Sequence, residues 1–278
     1  MNLAQLVAAL RRRIPTFAIP LLVAVRARIA WSRSAVRADA RAQMEFLLEH
    51  TRPDADLDAV ARDYVRYQVR RGELRWHPEL ITHLRVEGIE RLVEARDQGR
   101  GVMLNFVHHG YYDGAFASLG RHGIACRMVV YPYMLEPDAP VWLKQHMAVA
   151  CAGGGTAVNA AIGTAGLTEL LQSGEVVAIA SDVPGRTPMR FAGRDVLGSF
   201  GAARLATDTN SPVVVMTTEE GPEGPVARLH GPFEPKDFSS PKELLEALLV
   251  IHEARQVEEP EATDLPLSRW GSVSVEVA

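Results

Sequence analysis

From about residue 83 onward, short apolar runs alternate with longer amphipathic stretches, and few folds accept that pattern. Val102–Val107, Ile124–Tyr131, Val176–Ser181 and Pro212–Thr218 each read as a buried strand. His83–Glu87 and Val226–His230 are weaker runs of the same kind. Between them the pattern predicts helices over Ile89–Asp97, capped by Gly99, and Asp113–His122, ended by Gly123. Further helices are expected over Asp138–Val149, Thr156–Gln172, Phe200–Asp208 and Pro241–Val257. Strands alternating with helices predict an α/β fold, a mostly parallel sheet with helices on both faces.

The first 75 residues differ. Leu3, Leu6, Val7 and Leu10 fall on one helical face, and Pro15 ends that helix. Residues 39–51 read as helical. Asp54 and Asp56 are caps for a helix whose face is Leu57, Val60, Ala61, Tyr64 and Val65. The expected organisation is one domain over 1–278, with a helical, membrane-facing segment at 1–75 and an α/β core at 83–278. With 278 residues and 47% apolar content the chain can build one substantial core. No repeat or long linker divides it.

Charge excludes some partners and points to another. A net charge of -4 gives no basic excess for nucleic acid. Residues 1–38, however, hold seven arginines (Arg11, Arg12, Arg13, Arg26, Arg28, Arg33 and Arg37) and no acid before Asp39. Apolar residues lie among them, including Phe17, Ile19, Leu21, Leu22, Val23 and Trp31. Pro15, Pro20, Arg26 and Arg28 interrupt the run, so it is too short to cross a bilayer, which needs about 20 residues. The segment is expected to lie on an anionic membrane surface, with the protein cytoplasmic and peripheral on the inner face. Two cysteines, Cys126 and Cys151, make no disulfide framework or metal motif, and the histidines have no zinc spacing.

Ligands of such sheets bind beyond the carboxyl ends of the strands. Two segments with chemical potential sit there. Just past Val107 come His108, His109, Gly110, Tyr111, Tyr112 and Asp113. On one regular helix, residues five apart would point about 140° from each other. Across a strand–turn–helix join, with Gly110 for backbone freedom, His108 and Asp113 can meet. An imidazole can take the proton of a hydroxyl as it attacks a thioester carbonyl, and a carboxylate on the other ring nitrogen fixes the tautomer. On pattern alone His109 could replace His108. Past Ser181, Asp182 is followed by Arg186 and Arg190, which could hold a phosphate by bidentate contacts. Gly153-Gly154-Gly155 could be a nucleotide loop of an oxidoreductase, but it lacks the fingerprint spacing.

Three stretches resemble the bacterial lipid A lauroyl/myristoyl acyltransferase family, which includes phosphatidylinositol mannoside acyltransferases. The first is Val86-Glu87-Gly88-Ile89-Glu90-Arg91-Leu92 through Gly99-Arg100-Gly101-Val102-Met103-Leu104. The second is the His-x-Gly-x-x-Asp core at His108, Gly110 and Asp113. The third runs from Leu171-Gln172-Ser173-Gly174-Glu175-Val176-Val177 through Asp182 and Phe191-Ala192-Gly193 to Ala203-Arg204-Leu205-Ala206. The likeness covers roughly Val86 to Met216.

The resemblance implies acyl transfer to a hydroxyl of a glycolipid or phospholipid. His108 would be the base and Asp113 its carboxylate, with His109 at a variable position. It also implies an acyl-CoA or acyl-carrier-protein donor, no metal or other cofactor, and a hydrophobic acyl channel. Asp182 matches an acidic position and would line the site or position the acceptor. Arg186, Arg190, His109 and Tyr111 are further candidates for substrate contact. The family's "Y-R-P" arginine is missing at Val130-Tyr131-Pro132-Tyr133, which weighs against a phosphorylated lipid A acceptor. A soluble natural-product hydroxyl or amine is the alternative acceptor.

Overall fold

The computed structural model describes residues 3–270. Four helices come first: α1 (Leu3–Arg11), α2 (Ile19–Trp31), α3 (Ser34–Leu48) and α4 (Leu57–Leu74). Pro20 sits in the first turn of α2, where its missing N–H costs nothing. Asp56 caps α4 by accepting from the Asp58 and Ala59 amides.

The rest is β1 (Arg85–Glu87), α5 (Ile89–Asp97), β2 (Val102–Phe106), α6 (Tyr112–Gly120), β3 (Cys126–Val130), α7 (Val141–Cys151), β4 (Thr156–Asn159), α8 (Gly163–Gln172) and β5 (Val176–Ala180). There follow β6 (Thr187–Phe191), β7 (Arg194–Gly198), α9 (Gly201–Thr209), β8 (Val213–Gly221), β9 (Gly224–Phe233), α10 (Pro241–Glu258) and α11 (Pro266–Trp270). Seven strands form one sheet in the order β1-β9-β8-β2-β5-β3-β4. β8, β2, β5, β3 and β4 are mutually parallel, and β9 turns back antiparallel on β8 with β1 beside it. The mostly parallel α/β sheet expected from the alternation is therefore present.

All of β2 is buried, because helices cover both faces of the sheet. Leu104 and Phe106 join one core, with Leu92, Phe116 and Leu119. Met103 belongs to the other, with Leu205, Leu244 and Leu248. Ile19 and Val23 of α2 are part of the first core. Glu73 at the end of α4 is wholly buried and ion-paired to both Arg11 and Arg26, so α1 and α2 are clamped to the body.

Two expectations change. Thr156–Gln172 is not one helix: Thr156–Asn159 pairs with β3, and the Asn159 side chain then caps a short turn before α8. The stretch after Asp182, to which the pattern assigned no strand, folds into the β6–β7 hairpin. In the triplet Gly153-Gly154-Gly155, which lacked the nucleotide-loop spacing, Gly153 is a packing residue. A Cβ on Gly153 would meet the Ala117 carbonyl at 2.2 Å, and one on Gly120 would meet the Gly153 carbonyl at 1.8 Å. Glycines here let α6 and the end of α7 touch backbone to backbone. Among the described residues no helix is long and apolar enough to cross a membrane.

Candidate active site

β2 and β5 are parallel neighbours, with Phe106 opposite Ala180. His108 and Asp182 each stand two residues past that pair, so the strand register sets them side by side. The Ser181 N–H extends the ladder by donating to the Phe106 carbonyl at 3.0 Å. The Asn105 amide donates to Ser181 Oγ at 2.8 Å and buried His252 lies 2.9 Å from Asn105 Oδ1, which ties the two strand ends from the α10 side.

The result is a two-point contact. Asp182 Oδ1 lies 2.8 Å from His108 Nδ1, and Oδ2 accepts the His108 backbone N–H at 2.8 Å. Asp182 is wholly buried. Burial pushes its carboxyl up, but His108, Arg269 and the backbone donor outweigh it and hold the group below its ordinary value. An ionised carboxylate only accepts, so the His108 proton sits on Nδ1 and Nε2 is left with its lone pair.

His108 lines a cavity of about 920 Å³ beyond the carboxyl ends of β2, β5 and β3. Its wall is largely apolar, including Phe106, Phe116, Met128, Leu143, Met147 and Ile179. At the rim, Tyr131 and Tyr133 stack at 5.9 Å and Trp142 is exposed. Tyr112 meets the His108 ring edge-on at 4.8 Å and limits its rotation.

Asp113 is not the partner of His108. It lies in the first turn of α6 and faces the end of α4 and α7 instead. Arg75 Nε donates to its Oδ2 at 2.7 Å, and His146 Nδ1 lies 3.2 Å from the same oxygen. Burial acts to raise the Asp113 carboxyl, but Arg75 and His146 prevail and hold it well below its usual range. Gly110, at φ 59°, does provide the join, yet the chain leaves it with Asp113 turned away from the His108 ring. A Cβ on Gly110 would lie 2.1 Å from Thr218 Oγ1, so β8 passes too close for any other residue.

None of the other four substrate-contact candidates lines this cavity. His109 is buried away from the cavity, with Nδ1 3.2 Å from the Thr218 carbonyl and Nε2 3.0 Å from that of Glu259. Burial pulls its pKa down to about 4, against the pull of those carbonyls. Tyr111 is buried, with its ring 5.6 Å from Tyr67 and the Arg70 guanidinium 5.7 Å from it. Arg190 is spent on its own hairpin, donating to Asp195 and to the Gly193 carbonyl. Arg186 is exposed and outside the cavity wall. Asp182 alone of the substrate-contact set is at the site, as the carboxylate on His108.

The polar groups that do line the cavity beside His108 include Arg75, His146, Arg204, Asp264 and Arg269. Arg75 ends a helical segment that carried no motif. Asp264 and Arg269 follow the last long helix in a proline- and acid-rich stretch. Arg204 alone stood in a stretch that carried the resemblance. The chain matches no protein-family model and no curated protein.

Proposed function

We propose that this chain is an acyltransferase that moves a fatty acyl group from a thioester donor to a hydroxyl, with His108 as general base and Asp182 as its carboxylate. The observation that carries this reading is the open Nε2 of a carboxylate-held histidine facing a large apolar cavity. The cavity lies within the roughly 300–1,000 Å³ typical of ligand sites, and its walls suit an alkyl chain. The acceptor O–H gives its proton to Nε2 as its oxygen attacks the thioester carbonyl. The tetrahedral adduct then expels the thiolate, which takes the same proton back from the imidazolium. Asp182 keeps Nδ1–H in place throughout and offsets the transient positive charge.

The likeness of three stretches to the lipid A lauroyl/myristoyl acyltransferase family supports the donor class, acyl-CoA or acyl carrier protein. It also supports a glycolipid or phospholipid hydroxyl as acceptor. The direct test is purified protein with acyl-CoA, followed by thiol release, with and without lipid acceptors. No thiol release from any chain length would sink the reading.

The N-terminal helices support a lipid acceptor met at a surface, on the inner face of the cell membrane. α2 is apolar on two sides. Ile19, Val23 and Ala27 are buried, while Leu21, Val25 and Ile29, with Phe17 in the turn just before the helix, form an exposed stripe at steps of four, with Phe17 85% exposed and Leu21 70%. Leu6, Val7 and Leu10 of α1 are exposed as well. Arg11 and Arg26 are taken up by Glu73 and Arg12 by Gln145, but Arg13, Arg28 and Arg33 make no ion pair among the described residues. An interfacial helix that buries the stripe and sets arginines among anionic headgroups fits this pattern.

Deleting the segment would strip Ile19 and Val23 from the core, so substitution is the cleaner test. Each exposed side chain contributes on the order of 1 kcal/mol on partial burial. Phe17→Ser with Leu21→Ser should therefore weaken binding to anionic vesicles about tenfold or more, with an unchanged melting temperature. Full-strength binding by the double variant would move the contact elsewhere. Wild-type protein that ignores anionic vesicles at low salt would favour a soluble hydroxyl or amine acceptor.

A further inference from the structure

The segment after α10 does more than end the chain. Pro260–Ala262 forms a short turn, and the residues beyond it run antiparallel to the His108 loop, with His109 bridged to Thr263. The Gly110 N–H donates to the Ala262 carbonyl at 3.0 Å, and the Asp264 N–H donates to the His108 carbonyl at 2.8 Å. The loop that carries the base is therefore strapped on both sides of His109.

The strap is itself anchored at three points. Gln68 Nε2 donates to the Thr263 carbonyl at 2.9 Å, and the Leu267 N–H donates to Gln43 Oε1 at 2.9 Å. Trp270 is wholly buried and stacks on Phe191 of β6 at 4.1 Å. Between these anchors the strap turns Leu265 and Arg269 toward the cavity.

Arg269 is held in a fixed pose. Nε donates to the Asp264 carbonyl at 2.7 Å and Nη2 to Asp264 Oδ2 at 2.7 Å. Asp264 is also ion-paired to buried Arg71. Two guanidiniums thus share one aspartate, which leaves a surplus positive charge. The second carboxylate near it is Asp182: Arg269 Nε lies 3.9 Å from Asp182 Oδ2, the oxygen that also accepts the His108 N–H. A wholly buried carboxylate is costly to keep charged unless cations stand close. Arg269 is the guanidinium nearest to Asp182.

We propose that Glu259–Trp270 is a working part of the active site, in which Arg269 is the positioning residue that holds the Asp182 carboxylate on His108. The role rests on the acyl-transfer reading for its kinetic consequence, but not for its geometry. Arg269 attracts Oδ2 by charge across 3.9 Å, beside the hydrogen bond Oδ2 accepts from the His108 N–H, so Oδ1 stays on Nδ1 and Nε2 keeps its aim into the cavity. It acts through Asp182 and makes no demand on the donor. Its loss should therefore appear in kcat rather than in KM. Misplacement of a reacting group by about 1 Å can cost on the order of 100-fold, so a 10–100-fold fall in kcat is the expected scale.

The test uses the full chain with Arg269→Ala and Arg269→Lys, read in two ways. By 1H NMR, the His108 Nδ1–H held by Asp182 should give a far-downfield line in wild type. The line should be lost or broadened in Arg269→Ala and largely retained in Arg269→Lys. With acyl-CoA, Arg269→Ala should lose kcat at unchanged KM, and millimolar guanidinium should restore part of it by refilling the vacated place. Guanidinium should do nothing for wild type or for His108→Ala. A downfield line unchanged in Arg269→Ala overturns the proposal. So does a rise in KM alone, which would make Arg269 a substrate contact. A loss that neither guanidinium nor lysine relieves overturns it too, since a merely structural strap behaves that way. Wild-type protein inert to acyl-CoA, with the line still lost in Arg269→Ala, would sink the acyl-transfer reading and leave the strap's role standing.

Discussion

If His108 is the general base proposed above, His108→Ala should lower turnover with acyl-CoA by about 10²–10⁴-fold, the range a positioned general base contributes. The ring also packs on Phe106 and Tyr112 and partners buried Asp182, so the variant should melt somewhat earlier, while the loss of Nε2, which binds no other part of the protein among the described residues, falls on the chemistry. The neighbouring substitution separates the two histidines. His109→Ala takes away a ring wedged between the Thr218 and Glu259 carbonyls, 3.2 and 3.0 Å from its nitrogens. Leaving a buried polar group unsatisfied costs about 1–3 kcal/mol. That variant should melt earlier while its folded fraction turns over at close to the wild-type rate. Thiol release and thermal melts on both variants check the pair of outcomes. A larger kinetic loss for His109→Ala would transfer the base to that residue.

The parallel sheet was legible because apolar runs such as Val102–Val107 and Val176–Ser181 are bounded by polar stretches and close to strand length. β4 was not, since Thr156-Ala157-Val158-Asn159 is short and only partly buried, and its place depends on a neighbour, β3, that pattern analysis cannot see. The site shows the same division. His108 and Asp182 were each placed past a strand end, but their pairing needs the register of β2 on β5. Local spacing instead favoured Asp113, five residues along, and says nothing of the way a first-turn side chain points. Arg75, Asp264 and Arg269 reach the cavity from opposite ends of the chain, and that convergence is a property of the tertiary fold alone.

Asp182→Asn should cost on the order of 10³–10⁴ in kcat, as replacing the carboxylate behind a catalytic histidine by its amide does when it selects the wrong tautomer. The geometry explains why the amide errs here. Oδ2 faces the His108 backbone N–H, which needs an acceptor, so the asparagine must turn its oxygen to that side. Its NH₂ then faces Nδ1, and the ring proton is driven to Nε2, where the base should have its lone pair. Asp113→Asn should act differently. It removes the buried charge that balances half-buried Arg75, and breaking such a pair costs up to about 3–5 kcal/mol, while the folded enzyme keeps most of its rate. The pH dependence gives a second check. Asp113 is depressed in the folded state, so its contribution to stability is full above the ordinary carboxylate pKa of about 3.9 and is lost as pH falls below it. The gap in melting temperature between wild type and Asp113→Asn should be constant near neutrality and narrow in acid. If Asp182→Asn retains wild-type kcat while Asp113→Asn loses it at full stability, the carboxylate of the dyad is Asp113, and the contact between His108 and Asp182 only holds two strand ends together.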